Sequence, residues 1–340
     1  MKIYKDLYWL IISPDALFRA WDLFKKNKRN RPDVGDFELN LEQNIFDLYR
    51  DLKNGIYKYG PYKGFWIHDP KVRRIHKATV RDRVLHHAIF SVLNPIFEPT
   101  FIPNSFSCRT GKGTHKGMKK VAEMIRTVNQ NNTKRCYALK CDIRKFFDSI
   151  DHNILFGLVS KRIKDENFLS LIKQIICSFK KTDGKGLPLG NVTSQIFSNI
   201  YLNELDQYVK HNLKARCYVR YCDDFVIVSD SKIFLDDCLE KIKIFCEKKL
   251  LLNLHTHKII FRKARQGVDF LGYVMLPHRR VLRNRTKNRL LKKLTNLKIL
   301  LDTGIVKREC IGQIVQSYLG ILSHCKSENI IQRIERIFWD

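Results

Sequence analysis

Apolar residues change their period along this chain, and each change marks an element. The first 60 or so residues are polar and basic with helical spacing; Pro14 stands near the start of one helix, and Lys25 to Arg31 form a charged loop before the next. Phe65-Trp66-Ile67-His68 and Val72-Arg73-Arg74-Ile75-His76 are β-prone runs flanking the turn former Asp69-Pro70-Lys71, which predicts a hairpin with several cations on one ribbon. A helix is expected from Arg81 to Leu93, ended by Pro95. The glycine-rich stretch Arg109 to Gly117 predicts a loop. Tyr137 to Cys141 forms an apolar strand that ends at Asp142 and leads past Ser149 and Asp151 into a helix. After a loop around Pro188 and Gly190, Ile196, Phe197, Ile200, Tyr201, Leu205 and Val209 recur at spacings of three and four, with Asn191, Thr193 and Ser194 offering an N-cap. Tyr218 to Val228 contains two β-prone runs that meet at Asp223-Asp224, a hairpin with negative charge at its tip. Leu290, Leu294, Leu297 and Leu301 share one helical face, with Lys292, Lys293 and Lys298 off it and Gly304 as the stop.

Adjacent carboxylates repel one another and resist burial, so placing Asp223 and Asp224 between two core strands calls for a bound cation. With Asp142 they compose a two-metal carboxylate site suited to phosphoryl transfer. The competing reading makes Asp142 a helix cap and Asp223-Asp224 a plain turn. Charge sharpens the choice of substrate: 63 basic against 34 acidic residues leave a formal +29, which points to a polyanion, nucleic acid first, over a generically basic protein. At 340 residues and 44% hydrophobic content the chain has room for two or three subdomains with real cores, so disorder is not the default. The ten cysteines include no CxxC pair and no zinc-like spacing with histidine, which reads as reduced thiols. The N-terminus lacks a sustained apolar core and no run reaches the length of a membrane span, so a cytoplasmic protein with no membrane partner is expected. Arg109 to Gly117 lacks the P-loop spacing, leaving a basic loop beside a phosphate or a flexible connector.

The order of these features, a basic hairpin, an Arg/Gly loop, a strand ending at Asp142, a Gly loop opening a helix, Tyr221-Cys222-Asp223-Asp224, Lys258 and Phe270-Leu271-Gly272-Tyr273, resembles the reverse transcriptases over roughly residues 60 to 325. The resemblance implies an α+β right-hand polymerase fold: an N-terminal helical extension over 1–60, fingers over 61–136, a palm over 137–275 with a fingers-like insertion near 155–190, and a short basic helical thumb over 276–340. Within the family, Leu189-Gly190-Asn191-Val192-Thr193-Ser194-Gln195 is similar to the diversity-generating retroelement enzymes, because group II intron and retron enzymes usually have Gln-Gly here and end the motif in Ser-Pro. On this resemblance, the maturase and endonuclease extensions of group II intron proteins are not expected.

That resemblance implies an RNA-directed DNA polymerase that uses two Mg²⁺ ions, with Mn²⁺ a possible substitute. Asp142 and Asp223 would bind the metals, with Asp224 adjacent and the Ile143 carbonyl completing a coordination sphere. Phe147 would lie beneath the sugar of the incoming nucleotide and exclude a 2′-hydroxyl; a core aromatic is the other reading for the Phe146-Phe147 pair. One of Arg73 and Arg74, with Arg73 preferred and Lys71 assisting, would grip the triphosphate by paired donor bonds. Lys258 would approach the pyrophosphate leaving group as a general acid, or be a surface lysine. Phe270 to Tyr273 would be the primer grip, and Arg279, Arg280, Arg283, Arg285 and Lys287 would track template-primer phosphates. Leu189, Gly190 and Gln195 flank the pairing nucleotide in the family, and Leu189 in place of Gln implies low fidelity opposite template adenine. Implied partners are a template-repeat RNA, the RNA/DNA duplex, dNTPs and a small basic oligomeric accessory protein. Another stand-alone bacterial reverse transcriptase, of retron or phage-defence type, and a non-catalytic RNA-binding scaffold are the alternatives.

Overall fold

Ser13 accepts a hydrogen bond from the Ala16 amide at 3.3 Å, and the helix Pro14–Lys25 starts there with Pro14 at the position where a missing N–H costs nothing. The computed structural model describes residues 2–69 and 71–339, with the side chains of Arg308, Cys310 and Trp339 also left aside; Pro70, at the expected hairpin turn, lies outside the described residues. The fold is α+β, with antiparallel sheets among many helices. Two compact units divide the chain, the first comprising Met1–Pro103, Ile143–Lys214 and Lys241–His255, the second Asn104–Asp142, Ala215–Glu240 and Thr256–Asp340.

The first unit is mainly helical. Pro14–Lys25 packs on the long helix Val80–Phe97, which also receives Val192–Gln207. Trp21 is buried among Phe24 and Phe37 with ring centroids 5.8 and 5.3 Å away. Val80–Phe97 runs straight past Pro95, contrary to the expected stop. Ile96 and Phe97, just beyond the proline, are buried, and that packing outweighs one missing backbone bond. Asn191 does stand at the N-cap of Val192–Gln207, yet no side chain there makes a capping bond. The only strands of this unit among the described residues are β1 (Lys63–Ile67) and β2 (Arg73–Lys77), paired antiparallel with Ile67 opposite Arg73 and Trp66 opposite Arg74.

The second unit is built on β3 (Tyr137–Asp142), β4 (Cys217–Tyr221), β5 (Asp224–Ser229) and β6 (Ile260–Lys263), in the order β4-β5-β3-β6, all antiparallel. Tyr218, Val219, Phe225, Val226 and Ile227 are all buried, so β4 and β5 bury both faces, which explains apolar runs without alternation. The helix Thr114–Val128 packs on β4 and β5. Its first turn takes in Thr114 to Gly117, so the glycine-rich loop ends at Gly113, not Gly117; Gly117 is buried with Phe106 and Leu271 so close that a side chain would crowd them. A three-stranded sheet follows, β7 (Val268–Phe270), β8 (Tyr273–Met275) and β9 (Arg280–Leu282), with Leu271 and Gly272 both at positive φ in the β7–β8 turn. The helices Asn284–Asp302, Arg308–Leu322 and Glu328–Trp339 complete it, Leu290, Leu294, Val315 and Ile334 joining one core with Met118 and Phe270. No helix among the described residues is long and apolar enough to cross a membrane. The nine cysteines with described side chains form no disulfide, and Cys310 lies outside that set.

Candidate active site

Strand register brings the carboxylates together. Asp142 is the last residue of β3 and Asp224 the first of β5, and the two are direct cross-strand partners. Tyr221 pairs with Asp224 across the β4–β5 hairpin, which leaves Cys222-Asp223 as a two-residue turn with Cys222 at φ +54°. Directly opposed residues project to one face, as do residues two apart on a strand, so Asp142, Asp224 and Lys140 share a side of the sheet. The Lys140 ammonium lies 3.9 Å from Asp224 Oδ1, and Lys258 Nζ donates to Asp142 Oδ1 at 2.6 Å. Beneath the turn, the wholly buried Arg220 donates from Nη1 to the Cys222 carbonyl at 3.1 Å. Its backbone N–H donates to the Asn104 carbonyl, and its own carbonyl accepts from the Phe106 amide.

Two carboxyls carry the cost of this crowding. Burial, then the nearby Asp142 charge, raises Asp223 above the usual carboxylate range. Burial likewise pushes Asp224 up to about 6, with Asp142 and Asp223 adding to the rise and Lys140 and Lys258 opposing it. Burial and the Asp223 charge hold the Cys222 thiol well above its ordinary value, so it stays protonated and inert. Among the described residues no three His, Cys, Asp or Glu side chains close into a ready-made metal cage. The donor chemistry nevertheless fits a hard divalent cation: three carboxylates end two paired strands and their hairpin, and the burial and repulsion that raise Asp223 and Asp224 are what a cation offsets.

The remaining expected site residues gather in the first unit. The Leu189 carbonyl accepts from the His76 amide at 3.2 Å, and a Cβ on Gly190, at φ +113°, would come within 3.0 Å of Ile75 Cγ2. Arg73 and Ile75 share a ribbon face by alternation, so the face bearing Arg73 is the one that meets the Gly190 loop. Arg74 lies on the opposite face, its guanidinium folded over Gly64. Leu187 N donates to the Phe147 carbonyl at 2.7 Å, tying the Phe147 turn to the same loop. Phe146 is 2% exposed and belongs to the core, whereas Phe147 is half-buried. Gln195 and Lys71 are exposed, and Ile143 is buried beside Leu254. Of the expected phosphate-tracking cations, Arg283 is held by Asp269, with Nε donating at 2.8 Å.

Lys140 and Arg220 escaped the sequence reading. Lys140 was accessible to it, since it precedes Asp142 by two residues on a strand; a buried arginine beneath a turn has no local signature.

Residues 64–275 match the family model described as reverse transcriptase (RNA-dependent DNA polymerase). The group II intron-encoded protein LtrA of Lactococcus lactis subsp. cremoris is 26% identical over 350 residues, covering 80% of this chain and 57% of the relative. Protein YkfC of Escherichia coli K12 is 26% identical over 272 residues, covering 68% and 71%. The chain therefore spans little more than half the length of LtrA. Among solved structures, apo telomerase from Candida tropicalis aligns with a TM-score of 0.51 at 13% identity, over 83% of this chain and 64% of that one, a likeness of fold.

Proposed function

Because this chain belongs to the reverse transcriptase family, we propose that it is an RNA-directed DNA polymerase of the group II intron-like kind, extending a primer with dNTPs on an RNA template. The observation that supports this most is the register of Asp142 opposite Asp224 with Asp223 on the adjoining turn, inside the matched region. Asp142, Asp223 and Asp224 would hold divalent cations, Mg²⁺ first, with the Ile143 carbonyl as a further oxygen. When bound, two such ions neutralise the triphosphate and favour ionisation of the primer 3′-hydroxyl. Lys258, which donates to Asp142 Oδ1, would be the proton donor to the leaving group. Arg73 would grip the triphosphate, as the face it shares with Ile75 supports. Phe147 would exclude the 2′-hydroxyl. The test is primer extension on an RNA template with and without Mg²⁺; no extension under any divalent ion would overturn the reading.

Asp224 also gives a metal test that does not need turnover. Its folded pKa, about 6, lies above its ordinary value, so its contribution to stability is greatest in acid and is lost as pH rises through 6. On the order of 1–3 kcal/mol is at stake after allowing for its partial exposure. Mg²⁺ needs the ionised carboxylates, so it should raise the melting temperature by about 2 °C or more at pH 8 and hardly at all at pH 5. Calorimetric scans showing equal rises at both pH values would remove the metal site.

Leu189-Gly190 and Gln195 favour a narrower reading, mutagenic copying of a template-repeat RNA in a diversity-generating retroelement, assisted by a small basic oligomeric accessory protein. Leu189 offers no side-chain hydrogen bond beside β2, where a Gln would offer both donor and acceptor. Leu189→Gln should lower misincorporation opposite template adenine by about tenfold, read by sequencing cDNA. An unchanged error spectrum would leave a retron-type or phage-defence enzyme as the better reading.

A further inference from the structure

The strand that ends in Asp142 begins, at Tyr137, on the rim of a cleft of about 500 Å³. Five Cα–Cα steps of extended chain, about 17 Å, separate Tyr137 from Asp142. The cleft is lined from three directions: the turn after Thr114–Val128, the Tyr137 end of β3 with the Lys263 end of β6, and the loop between β8 and β9. Lys134, Arg135, Lys263 and Arg265 all line it, and no acidic residue among the described residues does. All four are exposed, and none has an ion-pair partner among the described residues. Contrast the carboxylate end of the same sheet, where Lys140 and Lys258 are drawn onto Asp224 and Asp142. Four uncompensated cations around one concavity repel each other unless an anion enters. Between them the half-buried Tyr137 ring and the Asn132 side chain, which also donates to the Pro277 carbonyl at 3.3 Å, offer a stacking face and an amide. The volume suits a nucleotide unit or two, not a duplex.

We propose that this cleft is a second RNA site, which grips the phosphodiester backbone of a single-stranded segment lying outside the stretch being copied. It rests on the polymerase reading only for the identity of the polyanion. Its physics is independent: cations take the phosphates, and Tyr137 takes a base or ribose face. Such a grip would retain a structured template while its copied segment moves past the carboxylates.

The experiment uses the full chain with Lys134, Arg135, Lys263 and Arg265 all replaced by alanine, four exposed changes that leave the core intact. Binding of a fluorescein-labelled stem-loop RNA with a single-stranded arm is followed by anisotropy across a salt series. The variant should bind about tenfold or more weakly at 0.1 M salt, with a log K against log salt slope shallower by about 2 to 3. Extension of a short primer annealed to a template with no flanking arm should stay within about twofold of wild type. Unchanged RNA affinity and slope would overturn the proposal. Displacement of the wild-type-bound RNA by ATP alone would also overturn it, in favour of a mononucleotide pocket. If the wild type extended no primer but the binding loss appeared, the RNA site would stand and the polymerase reading would fall.

Discussion

Asp223→Ala should lower primer extension by about 10³-fold or more while leaving the fold as stable as before. The rate loss is that of removing an oxygen donor from a site asked to supply several kcal/mol of charge stabilisation. Stability does not follow the rate down. Asp223 sits on a two-residue turn and its ionised form is disfavoured by burial and by Asp142, so alanine removes a repulsion instead of a support. A melting temperature equal to or above that of the wild type, beside lost extension, distinguishes chemistry from unfolding. Extension within tenfold of normal would sink the assignment of Asp223.

Phe147→Ala should open the polymerase to ribonucleotides, lowering the preference for dNTPs by about a hundredfold in single-nucleotide competition. Its neighbour gives the control. Phe146 is buried, and Phe146→Ala should cost about 3–5 kcal/mol of stability with the sugar preference of the surviving protein unchanged. The two rings contact each other edge to face at 5.3 Å, so a change in sugar preference in both variants would show that the pair acts only through packing.

How much of this was readable in advance depends on whether the information is local. The β4–β5 hairpin, the strand ending at Asp142 and the helix stop at Gly304 follow from short-range signals, and the structure has them. Pro95 misled because burial of Ile96 and Phe97, a tertiary effect, overrode a local break. Gly117 looked like loop, yet its small size serves a close approach to Phe106 and Leu271, the latter far along the sequence. Asn191 stands where a cap should be but makes no capping bond, and both its amide atoms are buried without a partner among the described residues. Alternation puts Arg73 and Arg74 on opposite ribbon faces, and the Ile75 contact with Gly190 shows which face meets that loop. The basic cleft was invisible because its cations come from segments more than a hundred residues apart.

The sheet order β4-β5-β3-β6 makes β3, which ends at Asp142, and β5, which begins at Asp224, the inner pair. Thermal fraying begins at sheet margins, where one side of a strand has no ladder. Breathing of β6 is therefore absorbed at its open side, whereas β4 is held on its outer side as well, where Arg220 exchanges backbone bonds with Asn104 and Phe106, so the spacing of the two carboxylates is insulated from it.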